Sequence, residues 1–399
     1  MKAVKGIALV IVALASIAAV VLIAINMKML HSESGTMNAF IDRQDDRYAE
    51  SQKKETEFIE DGAVIGENYT IKSTKAISDA YVNGQDPSGL SEEDKKTYDL
   101  AVKVLDEATK GKTTMYEKEL GVYEWLAKNV SHDADQSTRA VLSDEVLPQD
   151  TPYGVLSSKT AVCVGYATTF RLLMNMLGQE VHIPHNDSHS WDLVKLDDNE
   201  WYLVDVYNSA SGNGNIDYQY FNMNEITGAD RFDLTMMSNL PRANGKKYLY
   251  PVQIAKDAKN FYEMPKYLKK ALNKNKSVVS LRFEEKPSDD EVMMASGVTD
   301  AAQSRIQENL PDYASCYMSC AWCKDENDKF ILTIYITNNN ESTGNIDPNS
   351  EEAKKMKEAL DKVFGTTSGL DPLSPDVSAG GNDTTSTKVY TSTDREEAA

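Results

Sequence analysis

The chain opens with a run that has no polar periodicity at all. Ile7–Ile25 carries no charge and no proline, with Lys2 and Lys5 before it and Lys28 after it. At ~1.5 Å per residue a helix of that length spans roughly 28 Å, about one hydrocarbon core. A short basic tail before such a run favours the tail inside and the bulk of the chain outside. Residues 1–27 are therefore expected to be a transmembrane signal anchor, with the remainder extracytoplasmic. A cleaved signal has a shorter apolar region, of about 7–15 residues, yet the small residues around Ala13–Ala19 leave cleavage and secretion open. Residues 28–90 are largely polar and read as a stalk or linker.

From Ser91 the pattern takes a helical period. Ser91-Glu-Glu-Asp has the form of an N-cap with first-turn acids, and Tyr98, Ala101, Val102, Val104 and Leu105 make one apolar stripe. A second stripe, Tyr116, Leu120, Tyr123, Trp125 and Leu126, predicts a helix over Thr114–Asn129. A third helix is expected over Ala161–Leu177, stopped by Gly178. The pattern then shortens: His189–Leu196 and Trp201–Val206 flank Asp197-Asp198-Asn199, which reads as a β-hairpin. Beyond Asn239, Lys247–Gln253 looks extended, Asp257–Leu272 helical and Ser277–Phe283 a strand. Asp289–Asn309 reads as helix, Ser315–Trp322 with Phe330–Thr337 as a second hairpin, and Ser350–Phe364 as a short helix. The order predicts an α+β fold with a main domain over 91–245 and a small α+β domain over 246–365. Ser, Thr, Asp, Gly and Pro dominate 366–399, the signature of a disordered tail.

Charge narrows the partners. The chain holds 42 basic and 62 acidic side chains, net −20, and three of the lysines are the only charges in its first 31 residues. The remainder of the chain carries 39 basic against 62 acidic groups, with no basic arm or patch read from the sequence. Nucleic acid is excluded as a general partner, because counterion release would work against so acidic a surface. The four cysteines, Cys163, Cys316, Cys320 and Cys323, form no disulfide framework: one stands alone and three cluster. The cluster reads either as buried thiols, as half a zinc site, or as a Cys320–Cys323 or Cys316–Cys323 disulfide. Nothing in the composition fixes the oligomeric state.

The chemistry concentrates between Thr160 and Asp205. Cys163 stands at the expected start of a helix, where backbone N–H groups and the dipole favour a thiolate. His189 heads one hairpin strand and Asp205 ends the other. If the turn is the three residues Asp197–Asn199, Leu196 pairs with Glu200 and His189 lies opposite Tyr207. His189 and Asp205 then share a face as diagonal neighbours roughly 7–8 Å apart, and Trp191 faces Asp205 and shields it. A turn of two or four residues would put Asp205 on the other face. Cysteine, histidine and aspartate so placed are a nucleophile, its base and the group that orients the base. Asp187 is a competitor of Asp205 for the imidazole. His182 and His185 lack a convincing partner set for a metal.

The run Cys163-Val-Gly-Tyr-Ala167 with Phe170 and Gly178, then His189-Ser-Trp191 and Trp201-Tyr-Leu-Val-Asp205, resembles the bacterial transglutaminase-like superfamily. Tyr116-Glu-Lys-Glu-Leu through Trp125-Leu, His132-Asp133 and Tyr153-Gly154 extend the resemblance over about Ser91–Tyr250. Phe261–Phe283 is similar to a domain that follows this core in surface proteins of Gram-positive anaerobes. The resemblance implies a papain-like core, a Cys-bearing helix packed on an antiparallel sheet. It implies catalytic roles for Cys163, His189 and Asp205 and a thioester formed at Cys163 from a protein or peptide substrate, with no cofactor or metal. Tyr153, Tyr166 and Trp191, in or beside these motifs, are expected to line the substrate pocket. Two features depart from the pattern: Asp192 stands where many relatives have Asn, and Asp205 is followed by Val-Tyr-Asn-Ser-Ala-Ser-Gly. Substrate specificity does not carry over. The expectation is an acyl transferase or amide hydrolase, and the alternative is a surface binding or assembly module that keeps the fold without turnover.

Overall fold

The computed structural model describes residues 73–338, apart from 134–146, 186–188, 211–215, 229–239, positions 273 and 275, and most of 289–315. Two short strands precede them, β1 (Val64–Ile65) and β2 (Tyr69–Thr70). The expected anchor, most of the stalk, the helix at Ser350–Phe364 and the tail lie outside the described residues, as does most of the helix expected over Asp289–Asn309. Among the described residues no helix is long and apolar enough to cross a membrane.

The helices begin where the sequence caps them. After α1 (Lys75–Val82), α2 (Glu92–Ala108) starts at Ser91, whose Oγ accepts the Asp94 N–H at 3.2 Å, with three acids in the first turn. The helix α3 (Met115–Asn129) has a full capping box between Thr114 and Glu117. Their stripes meet in one core that includes Ala101, Val104, Leu105, Val122, Tyr123 and Leu126. The chain then forms β3 (Ser131–His132), α4 (Pro152–Ser158) and β4 (Thr160–Ala161), with β4 parallel to β3. That pairing takes Thr160 and Ala161, so α5 (Cys163–Met176) starts two residues later than its apolar pattern suggested. Every residue of α5 except Asn175 is buried, which is what a helix apolar on nearly all sides requires. Gly165 lets its first turn press against the backbone: a Cβ there would lie 1.9 Å from the Gln149 carbonyl oxygen.

Around α5 folds an antiparallel sheet in the order β5 (Val181–His182), β6 (Asp192–Lys195), β7 (Trp201–Val204). Lys195 pairs with Trp201 and Asp192 with Val204, and Leu196 N–H donates to the Glu200 carbonyl at 3.1 Å. The turn is therefore Asp197–Asn199, three residues, with Asn199 in the left-handed region at φ 65. The ladder stops at Asp192, so residues 189–191 are not strand. Trp191 N–H turns to the Pro184 carbonyl (3.1 Å), and Ser190 bridges His185.

After β7 come α6 (Val206–Ser209), α7 (Glu225–Gly228) and α8 (Tyr250–Ile254). The expected extension at Lys247–Gln253 is corrected by α8, where Pro251 occupies a first-turn position suited to its fixed φ. The expected helix from Asp257 is also corrected. Lys256–Ala258 is strand β8, and the helix α9 begins only at Met264 and runs to Leu272. With β9 (Val278–Phe283), β10 (Cys316–Lys324) and β11 (Phe330–Asn338), β8 makes a sheet in the order β10-β11-β9-β8. Alternation along its strands gives it two apolar faces. Leu281, Phe283, Leu332 and Ile334 pack on Met264 and Leu268 of α9, while Cys323 and Ile331 join the core of the preceding helices. Arg282 ties the pieces together, reaching Asp325 (3.0 Å), Asp257 (3.3 Å) and the Val252 carbonyl (3.1 Å).

The same alternation separates the cysteines of β10. Cys320 lies on the α9 side and Cys323 on the other. The Cys320–Cys323 disulfide is not formed, and the two cannot contribute to one zinc site. Burial, with Asp325 beside it and Arg282 opposing, pushes the Cys323 thiol up to about 12. The side chain of Cys316 lies outside the described residues.

Candidate active site

Cys163 is the first residue of α5. Val162 before it is extended and offers no side-chain cap, and first-turn N–H groups have no acceptor within their own helix. The sulfur thus lies beside an uncapped, partly positive helix end. Cys163 as a whole is 7% exposed, among Val162, Val164, Ala167 and Ile183, with the half-buried Tyr207 packed against the cluster.

His189 and Asp205 meet, though not as neighbours on two strands. His189 reaches the site from the irregular segment before β6, and its Nε2 lies 2.7 Å from Asp205 Oδ2. Cys163 stands near enough to the imidazole that it, with Asp205, raises the ring's affinity for its proton. Because Nε2 faces the carboxylate, the ring nitrogen left for sulfur is Nδ1. The hairpin turn carries this geometry: it fixes the length of β7 and so delivers Asp205 to the sheet end beneath His189.

Asp205 is 1% exposed and is held from several sides. Its backbone N–H donates to the Tyr220 carbonyl at 2.9 Å. As N-cap of α6, it accepts the Asn208 N–H at Oδ1 (3.0 Å). Its Oδ2 accepts the Asn208 side-chain amide at 2.7 Å as well as the imidazole. Burial by itself would depress the histidine. The hydrogen bonds and charges of Asp205 and Cys163 more than offset that and push His189 up to about 10. That direction favours the imidazolium form at neutral pH. An imidazolium next to a cysteine at a helix N-terminus is the arrangement in which sulfur acts as thiolate.

Two of the expected pocket residues are buried in this structure. Trp191 is 1% exposed, packed among Leu193, Trp201, Leu203 and Met223, with its ring near-parallel to His189 at 5.9 Å. It backs the imidazole and does not meet solvent. Tyr166 is 1% exposed and its hydroxyl donates to the Val130 carbonyl at 2.6 Å, so it fixes α5 to the end of α3. Tyr153 is half-buried on α4, and no contact described for it reaches Cys163. Asp187 lies outside the described residues. His182 rests on Trp201 and beside Glu180, and burial with Arg171 nearby holds it down to about 4. Among the described residues no group of His, Cys, Asp and Glu converges as a metal site. A small recess lined by Phe221, Asn222, Met223, Trp322, Cys323 and Tyr335 is not lined by Cys163, His189 or Asp205.

Three residues near the site were given no role there by the sequence reading. Asn208 is one; its signal was the Asp-x-x-Asn spacing of an N-cap and its first turn. Tyr207 is another, its ring 5.6 Å from His189 and stacked 4.2 Å from His132. His132, the third, places Nε2 2.9 Å from the Tyr207 carbonyl oxygen. No local pattern announces that long-range contact.

Asp192 explains one departure. It is buried at the start of β6, and burial pushes its carboxyl well above the usual range, with Arg171 opposing and Asp205 adding. In its neutral form, which burial favours, the carboxyl presents one donor and one acceptor edge, as a carboxamide does. Asp192→Asn is therefore expected to leave thermal unfolding within about 1 kcal/mol of the parent. Calorimetry at neutral pH checks it; a loss of several kcal/mol would mean the charge itself is needed.

Residues 102–206 match the family model described as Transglutaminase-like superfamily, a segment that contains Cys163, His189 and Asp205. A solved structure entitled "Crystal structure of a TGase" is 20% identical over 31% of this chain, with a TM-score of 0.26. The chain covers only 35% of that structure. No curated protein matches the chain.

Proposed function

We propose that the Transglutaminase-like segment at 102–206 is the catalytic part of a thiol-dependent acyltransferase or amide hydrolase acting on proteins or peptides. The observation that carries the reading is the His189–Asp205 hydrogen bond beside Cys163 at an uncapped helix end. The thiolate adds to the amide carbonyl carbon, forming the C–S bond as the π electrons move to oxygen. N–H groups of the first turn of α5 are placed to receive that oxyanion. As the carbonyl re-forms, the C–N bond breaks and His189 gives its proton to the departing amine. Water or an acceptor amine then attacks the thioester, with the neutral His189 taking its proton, and the C–S bond breaks to return thiolate and imidazolium. No step calls on a cofactor or metal.

The setting proposed is extracytoplasmic, held to the membrane by residues 1–27 or released if they are cleaved; the uncharged Ile7–Ile25 run supports it. The net charge of −20 supports a protein or peptide partner over nucleic acid. A second reading, a binding or assembly module without turnover, is favoured by Cys163 being only 7% exposed, in a cluster against which Tyr207 packs.

Trapping the acyl-enzyme separates the two readings. The full chain is mixed with glutamine-containing and other peptide amide donors and followed by intact mass and peptide mapping. The expected result is an adduct on Cys163 equal to the donor less its amine, discharged by hydroxylamine. No adduct with any donor, together with iodoacetamide labelling of Cys163 that ignores His189→Ala, would leave the binding module.

A further inference from the structure

We propose that Asn208 is a positioning residue of this site, whose carboxamide fixes the Asp205 carboxylate and withholds part of its charge from His189. The inference rests on the Cys163–His189–Asp205 reading and adds a fourth group to it.

The geometry separates two tasks that a single residue performs. The Asn208 backbone N–H donates to Oδ1 at 3.0 Å, an ordinary cap of α6 that any residue at this position could supply. The side-chain Nδ2–H donates to Oδ2 at 2.7 Å, the same oxygen that accepts from His189 Nε2. Nδ2 also stands 3.3 Å from Nε2. With His189 as imidazolium both nitrogens are donors, so they share one acceptor and present like partial charges to each other. Asn208 therefore orients the carboxylate and at the same time weakens its hold on the imidazolium proton. In the reaction that proton must leave for the departing amine, and a proton held too firmly is a poor acid. The surroundings make this side chain the adjustable one. Asp205 is buried, whereas Asn208 is exposed, so its removal leaves no cavity.

The other groups that bear on the imidazole stay in place when Asn208 is changed. They are Cys163 from α5, Asp205 itself and the Tyr207 ring from α6. Behind Asp205 lie Asp192 of β6, with Arg171 of α5 beside it, and Tyr123 of α3; His132 of β3 reaches the pair only through Tyr207. A shift on changing Asn208 is thus assignable to the carboxamide.

The test follows the His189 ring by NMR across pH in the full chain, beside the pH profile of iodoacetamide labelling at Cys163. Asn208→Ala removes the donor and keeps the backbone cap. Its His189 titration is expected above the parent's, with thermal unfolding nearly unchanged. Asn208→Asp replaces the donor by a second acceptor and is expected to move it further in the same direction. Where an amide substrate turns over, Asn208→Ala is expected to lower kcat about ten- to a hundredfold with KM little changed, the scale of one hydrogen bond to a charged group. A titration that stays fixed or falls in both variants overturns the proposal. These readouts need no acyl donor: a shifted titration without turnover would count against the enzymatic reading alone, and turnover with a fixed titration against Asn208 alone.

Discussion

Cys163→Ala is expected to abolish acylation and rapid alkylation while leaving the fold intact. The mechanism has a single nucleophile, and removing the nucleophile of a comparable triad lowers kcat by about 10⁶. The structural cost is small by contrast. Cys163 occupies a small cluster with Val162, Val164, Ala167 and Ile183, and the change deletes one sulfur. About 1 kcal/mol is the scale of such a loss. Peptide mapping after brief iodoacetamide treatment at neutral pH reads the first effect, and a thermal melt reads the second. The other described thiols make the mapping clean. Cys323 is buried and pushed up to about 12, and Cys320 is half-buried. If Cys163→Ala still turned over an amide donor, the thioester mechanism would be excluded.

Asp205→Asn is the second large effect expected. Exchanging the carboxylate for an amide keeps the shape but withdraws the charge that holds His189 protonated, and the same exchange in a serine triad lowers kcat by about 10⁴. Here the pH dependence carries a definite sign. Burial acts to depress His189, and Asp205 and Cys163 raise it to about 10. Without the Asp205 charge the His189 titration must fall, bringing the alkaline limb of Cys163 labelling toward neutral pH. Stability follows from linkage. A histidine raised in the folded state stabilises fully below its unfolded value of about 6.5, and the contribution is lost as pH rises through the folded value near 10. The gap in melting temperature between parent and Asp205→Asn is therefore expected to be widest in mild acid and to close toward pH 10. A gap that widened with pH would mean that His189 is not held as imidazolium by this carboxylate.

Asp205 was placed by a short-range argument. A three-residue turn leaves one register, and Lys195 opposite Trp201 with Asn199 at positive φ meets that requirement. The caps at Ser91 and Thr114 were legible for the same reason, since each is settled within four residues. Where distant contacts decide, the sequence was silent or misleading. Lys256–Ala258 becomes strand only because β9 lies alongside it, parallel, and His189 leaves the ladder because Trp191 turns back to Pro184. Tyr166 and Trp191 show a further limit. An aromatic side chain beside a catalytic motif can face substrate or back the machinery, and only burial tells which. Asn208 lay in plain view, but its second bond depends on where His189 arrives.

The carboxylate at 205 serves α6 as well as His189, and that constrains how the protein can change over generations. A lineage that abandoned chemistry would be free to lose Cys163 or His189, each replaceable without disturbing a turn. Position 205 would not be equally free, because a residue unable to accept the Asn208 N–H would loosen the turn that carries Tyr207. Descendants kept only as binding modules should retain a capping residue there, such as Asn, Ser or Asp. Two different selections therefore act on this one aspartate, and its presence in a relative is weaker evidence of activity than the presence of cysteine and histidine together.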